Sequence, residues 1–101
     1  MDRLAMLEKM ASAPGAEPFA RYGLAMEYRR LGRLDDAVRR FSELVRDEPA
    51  YVPTYLMYGQ VLVELGRPDE ARAIFERGIE AARAAGDDHA ASELAAARDA
   101  L

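Results

Sequence analysis

The chain has 101 residues, of which half are hydrophobic and 32% are charged, so it can bury one modest core but not two independent ones. Its net charge of -4 gives no general attraction to phosphate backbones or anionic lipid, which disfavours nucleic acids and membrane surfaces as partners. The absence of cysteine excludes disulfide scaffolds, thiolate nucleophiles and cysteine-based zinc sites.

The first predicted element is an amphipathic helix over residues 2–12, closed by Pro14 and Gly15. The same segment carries Asp2 and Glu8 where a secretory signal needs an unbroken apolar stretch. No window approaches the roughly 20 apolar residues that a membrane helix needs. We therefore expect a cytoplasmic protein, and the 13 arginines against one lysine are typical of a GC-rich bacterial genome.

The next two elements form a helical pair over residues 18–31 and 35–47. Apolar residues fall on a single stripe of each helix: Leu24, Ala25, Tyr28 and Leu31 on the first, and Ala37, Phe41, Leu44 and Val45 on the second. Gly32 ends the first helix, as glycine does where a left-handed cap is needed. Pro49 stops the second.

A second pair follows over residues 52–65 and 69–85, with Gly66 at its turn. No proline closes its second helix, which is predicted to run on to Ala85. A last helix over residues 88–100 begins after Gly86, capped by Asp87 or Asp88. No segment predicts a strand.

The two pairs are copies of one repeat, because the chain matches itself at an offset of 34 residues. LGRLDDAVRRFSEL (residues 31–44) aligns with LGRPDEARAIFERG (residues 65–78). The identical positions are Leu31, Gly32, Arg33, Asp35, Ala37 and Phe41 in the first copy and Leu65, Gly66, Arg67, Asp69, Ala71 and Phe75 in the second.

These residues resemble the tetratricopeptide-repeat (TPR) family, a 34-residue helix-turn-helix repeat, over residues 18 to about 85. The small residue at the family's close helix crossing is matched by Ala25 and Gly59. The resemblance implies an all-α superhelix in a single domain, 1–101. Its parts are repeat one (18–51), repeat two (52–85), an N-terminal helix (2–12) and a C-terminal capping helix (88–100). The two flanking helices are expected because the terminal units of a repeat array must cover its exposed faces.

Three positions depart from the family pattern: Arg21 replaces a large apolar residue, Tyr58 replaces leucine, and Arg83 replaces the closing proline. Arg21 indicates that the N-terminal helix is the unusual neighbour of the first repeat, with Phe19 supplying the lost apolar bulk. We expect Tyr58 to be core despite the change.

Candidate chemistry is sparse. His89 and Glu93 stand at i, i+4 and could share a metal in principle, but one histidine lacks the ligand count of a metal site. Carboxylate pairs open the second helix of both repeats, Asp35 with Asp36 and Asp69 with Glu70, and we interpret them as capping residues rather than an acid–base pair. We predict no enzyme, no metal site and no cofactor; an enzyme using His89 is a minor alternative.

The resemblance implies that residues 18–31 and 52–65 line a groove for a peptide or helix of a partner protein. The candidate groove residues are Phe19, Tyr22, Met26, Arg29, Arg30, Leu56, Gln60 and Val63. The family's carboxylate clamp uses Lys and Asn on this face, where this chain has Tyr22 and Met26, so that ligand is not predicted. The alternative is a self-associating structural homodimer.

Overall fold

Six α-helices make up the part of the chain that the computed structural model describes, residues 2–101. They are α1 (Arg3–Ser12), α2 (Pro18–Arg30), α3 (Leu34–Asp47), α4 (Pro53–Glu64), α5 (Pro68–Ala84) and α6 (Asp88–Asp99). Every end lies within one residue of the predicted one. That span contains no strand, and none of its helices is long and apolar enough to cross a membrane. The all-α prediction is confirmed.

Glycine ends the first helix of each pair because the turn requires a left-handed backbone. Gly32 has φ of 76° and Gly66 has φ of 73°, a conformation that costs energy for residues with a Cβ. Beyond Gly32, the Arg33 N–H donates to the Tyr28 carbonyl at 2.9 Å, and the equivalent bond follows Gly66 at the same length. These bonds satisfy carbonyl groups that the helix end would leave free.

The capping predictions were correct at one helix and wrong at two. Asp87 caps α6, since its carboxylate accepts from the Ala90 N–H at 3.0 Å. Asp35 and Asp36 do not cap α3, because they lie inside its first turn and the N-cap position belongs to Arg33. Asp69 and Glu70 lie in the first turn of α5 in the same way, and its N-cap position belongs to Arg67. Asp36 instead accepts from Arg33 Nε at 2.8 Å, so the pair acts through the helix dipole and local ion pairing.

The core lies between the two helices of each pair and between successive pairs. Phe41 and Phe75 are fully buried in it, as predicted. Tyr58 is only half-buried, because its ring stacks on Phe41 at a centroid distance of 5.9 Å while part of it stays at the surface. Gly59 allows a close approach of α4 to α5, since a Cβ at that position would lie 2.2 Å from Phe75 Cε1.

The helix α1 packs on α2 as predicted, but without the expected role for Phe19. The packing comes from Leu4, Leu7 and Ala11 of α1. Phe19 is 74% exposed, so the prediction that it replaces the apolar bulk lost at Arg21 is wrong. Arg21 itself turns towards α3 and pairs with Asp47 at 2.8 Å.

At the other end, α5 continues to Ala84 and α6 packs along it. The contact depends on Gly78, where a Cβ would lie 2.5 Å from Tyr55 Cβ and 3.1 Å from Leu94 Cδ1. Leu94 is the buried anchor of α6. The helix α6 therefore packs against the second repeat as an integral part of the fold.

Candidate functional site

The first helices of successive units, α2, α4 and α6, lie side by side and present one open face, called here the groove. They begin 35 residues apart along the chain, and α4 contacts both α2 and α6. Two cavities open on this face. The sequence predicts only a capping role for α6, so the contribution of this helix to the groove is a finding of the structure.

The first cavity, of about 280 Å³, lies near the beginnings of the three helices and is mainly apolar. Its walls include Tyr22 of α2, Leu56 and Met57 of α4, and Ala90 of α6. His89 lies at its rim, with Nε2 at 3.3 Å from a carboxylate oxygen of Glu93. A cavity of this size accommodates one large apolar side chain.

Tyr22 is fixed in the wall of the first cavity by neighbouring rings. Its centroid lies 6.2 Å from that of Phe41 and 6.1 Å from that of Tyr51, in the range of favourable aromatic pairs. Burial raises the pKa of the Tyr22 hydroxyl, with Tyr51 adding to the increase and Arg29 opposing it. Tyr22 therefore presents a neutral, rigid surface to the cavity.

The second cavity, of about 350 Å³, lies near the ends of the same helices. Val63 and Gln60 of α4 line it together with Ala97 of α6, and Phe75 contributes from α5. Val63 is 43% exposed, so it offers apolar surface that no part of residues 2–101 covers completely.

Arg29 connects α2 to α4 at the second cavity. Its guanidinium donates to Gln60 Oε1 at 3.3 Å, to Met57 Sδ at 3.3 Å and to Glu64 Oε1 at 2.5 Å. The side chain is held in one orientation by α4 yet stays partly exposed. It can therefore offer a pre-oriented positive charge to a ligand.

Five of the eight predicted groove residues line the two cavities: Tyr22, Arg29, Leu56, Gln60 and Val63. Met26 packs mainly against the first core cluster. Arg30 pairs within α2, where its Nε donates to Glu27 Oε1 at 2.8 Å, the oxygen that also accepts from Arg3 of α1. Phe19 is exposed at the start of α2 and lines neither cavity. Their roles in binding stay predictions.

Charged groups around the groove give no sign of a metal site. Among residues 2–101 there is no cluster of three or more histidine or carboxylate side chains that could hold a metal ion. The His89 and Glu93 pair is exposed on the first two turns of α6, as expected for a solvated helix start.

Comparisons with known proteins agree with this architecture. The family model of the tetratricopeptide repeat matches residues 28–98. The chain is similar to a tetratricopeptide repeat domain protein from Salinibacter ruber. The solution NMR structure of that protein is 37% identical, with coverage of 85% of this chain and 87% of that chain and a TM-score of 0.80. In its crystal structure the matched sequence is 39% identical, with coverage of 81% of this chain and 92% of that chain and a TM-score of 0.77.

Two more distant matches extend the comparison. The crystal structure of PcrH in complex with the chaperone binding region of PopD has a TM-score of 0.86 over 96% of this chain and 74% of that one, but at 16% identity it shows the fold alone. Human protein O-mannosyl-transferase TMTC2 is 36% identical over 53 residues. The chain covers only 6% of the length of that curated relative.

Proposed function

The chain belongs to the tetratricopeptide-repeat family, and from this membership we propose that it binds a segment of a partner protein in the groove formed by α2, α4 and α6. Domains of this fold generally mediate protein–protein interaction, and the solved structure of PcrH contains the chaperone binding region of PopD. The partner of this chain is a protein or peptide with apolar side chains.

The observation that carries the proposal is the pair of cavities on one face. Leu56 and Val63, one in each cavity, are seven residues apart on α4, which is about 10 Å at the rise of an α-helix. Residues i and i+7 of a bound helix have that spacing, and so do residues i and i+3 of a polyproline-type segment. Two apolar side chains of one short segment can therefore occupy both cavities.

Polar groups beside the second cavity supply orientation. Arg29 is held by α4 while keeping part of its surface free, and Gln60 keeps its amide donors. Each can bond a carbonyl or carboxylate oxygen of a bound segment without first being ordered, which lowers the entropy cost of binding. Arg30 lines neither cavity, because its guanidinium donates to Glu27, which also accepts from Arg3 of α1.

Peptide display tests this function, because a random library supplies the candidate segments. For peptides enriched on the immobilised wild-type protein, the affinity is measured with the wild type and with Val63→Glu. This substitution puts a charge on the exposed wall of the second cavity. The matched control is Ala73→Glu, the same charge change at an exposed position of α5. We expect at least a tenfold loss of affinity for Val63→Glu and no loss for Ala73→Glu.

Two results would contradict the proposal. One is the recovery of peptides whose affinity is equal for both variants, which would mean that they bind elsewhere. The other is an unliganded protein whose mass in light scattering doubles with concentration in the wild type but not in Val63→Glu, which would assign the groove to a second copy.

A further inference from the structure

The two helices at the N-terminal end form a notch that lies apart from the groove. The helix α1 runs antiparallel to α2, since Arg3 reaches Glu27 at 3.1 Å and Leu7 lies 3.9 Å from the Cβ position of Gly23. Arg3 and Arg30 both donate to Glu27 Oε1, so they lie on the same side of this helical hairpin.

Exposed apolar side chains continue along that side from the two arginines. On α1, Met6 and Met10 follow Arg3 at i+3 and i+7; on α2, Phe19 precedes Arg30 by three turns. Phe19 is 74% exposed, Met10 51% and Met6 49%. At roughly 200 Å² for each fully exposed side chain they present about 350 Å² of surface, a patch size that on monomers is often functional. The notch is defined by Met10, Phe19, Gly23 and Arg30, with Met6 at its rim.

The internal repeat indicates what fits the notch. Shifted by 34 residues, α3 corresponds to α1, so α1 holds the place of the second helix of a preceding pair. On α4, Met57, Gln60 and Glu64 contact Arg29 of α2, and Pro53 lines a cavity together with Tyr22 of α2. Their equivalents on α2 are Gly23, Met26, Arg30 and Phe19. Within residues 2–101, the equivalent surface of α2 is therefore left largely uncovered, by the width of one helix, although Met26 packs on the first core cluster.

Gly23 supports the same interpretation. Glycine in the interior of a helix is destabilising relative to alanine, and Gly23 is not among the glycines with positive φ. A Cβ there would meet only Leu7 Cδ2, at the ordinary contact distance of 3.9 Å. Neither the backbone nor the packing within the chain requires glycine, but its missing side chain deepens the notch between Met10 and Phe19.

Charge favours an acidic occupant. Glu27 is shared by two guanidinium groups, which leaves one uncompensated positive charge at the end of the notch. Where α2 packs on α4, Arg29 of α2 pairs with Glu64 of α4. In the notch Arg30 stands at the position equivalent to Glu64, so the helix that binds there has to bring a negative charge instead of a positive one. We infer that the notch binds an amphipathic helix of a partner protein, which lays apolar side chains on Met10 and Phe19 and a carboxylate on Arg30.

A second copy of this chain fits less well. The apolar patch is well below the roughly 800 Å² per partner of a standard stable interface, and each copy would bring a net charge of -4. A single helix needs less area and can bring a complementary charge.

The test is a display library of 16-residue helical peptides, selected on the Val63→Glu variant so that the groove is disabled. We expect enriched helices with an apolar i, i+4, i+7 stripe and one acidic residue. Their affinity should fall at least tenfold on Met10→Glu and on Gly23→Trp, which fills the notch, and stay unchanged on Ala5→Glu, on the opposite face of α1. Replacing the peptide's acidic residue with its amide should weaken binding to the wild type but not to Arg30→Gln.

The outcomes separate this site from the groove. Selection of no helix on Val63→Glu, or of helices indifferent to Met10→Glu and Gly23→Trp, would overturn the notch while leaving the groove proposal intact. A wild-type mass that doubles with concentration, and returns to monomer in Met10→Glu, would assign the notch to a second copy. If Gly23→Trp fails to fold, Gly23→Gln serves in its place, and circular dichroism confirms folding for every variant.

Discussion

Replacing Gly59 with alanine perturbs the closest helix approach in the core. The new Cβ would lie 2.2 Å from Phe75 Cε1 and 2.6 Å from Cδ1, whereas carbon atoms in contact are ordinarily about 3.5–4.0 Å apart. The Phe75 ring is buried and cannot swing into solvent. Because the overlap exceeds about 1 Å, α4 has to move away from α5.

Two opposing effects set the change in the free energy of unfolding that Gly59→Ala causes. Alanine gains about 1 kcal/mol over glycine in a helix interior, while overpacking of a dense core costs about 1–3 kcal/mol and occasionally more. With an overlap this large the cost lies at the upper end, so we expect a net loss of about 1–2 kcal/mol. For a domain of this size that lowers Tm by about 5–15 °C. Gly23→Ala is the matched control, since its Cβ meets nothing closer than 3.9 Å and Tm should rise by about 4–8 °C.

Urea and thermal denaturation followed by circular dichroism measure both variants. A double variant with Phe75→Leu removes the ring that the new methyl group would strike, so the two substitutions should couple by about 1 kcal/mol or more. A Gly59→Ala protein as stable as the wild type, or costs that simply add in the double variant, would refute this account of the helix crossing.

Three further predictions concern the ends of the fold and its acid stability. Leu94→Ala should cost about 2–5 kcal/mol in urea denaturation, because Leu94 is the buried anchor of α6; a smaller loss would mean that α6 is not firmly docked. Asp87→Ala should cost about 0.5–2 kcal/mol through loss of the cap, while Asp88→Ala, with no capping bond, should cost less. Hydrogen bonds from Arg46 and Arg21 lower the pKa of Asp47 from 3.8 to about 2, so its stabilising contribution is complete above pH 3.8 and is lost as the pH falls through about 2. NMR titration of the Asp47 carboxyl should show this value, and Asp47→Asn should remove that part of the pH dependence of the urea midpoint.

The helices and their order follow from local signals that the sequence repeats. Gly32 and Gly66 recur at one offset and the apolar stripes recur with them, so the predicted ends agree with the observed ones to within a residue. The helix α6 contains no glycine of this kind. It is also rich in alanine, so its sequence does not distinguish the face that packs on the core from the other faces. Its packing as a cap was predictable, but its share in the groove depends on the tertiary contact between Leu94 and α5 at Gly78.

The groove residues could be predicted from the sequence only in part, because the partners of each side chain are set by how the helices pack. Arg29 and Arg30 are adjacent, and the family resemblance assigned both to the groove. In the structure Arg29 pairs with Glu64 of α4, whereas Arg30 pairs with Glu27 of its own helix, which also accepts from Arg3 of α1. Phe19 was expected to compensate for Arg21. It is instead 74% exposed, and α1 packs on α2 through Leu4, Leu7 and Ala11, a contact between helices that no local pattern in residues 18–31 encodes.

Chemical-shift mapping tests the groove most directly. A peptide enriched on the wild-type protein is titrated into the ¹⁵N-labelled chain, with Val63→Glu titrated in parallel. We predict that the largest shifts fall on amides beside the two cavities, such as Leu56, Gln60 and Ala90, and that they vanish in Val63→Glu. Shifts confined to the outer faces of α3 and α5, at residues such as Arg39 and Arg72, would contradict the assignment of the groove as the binding site.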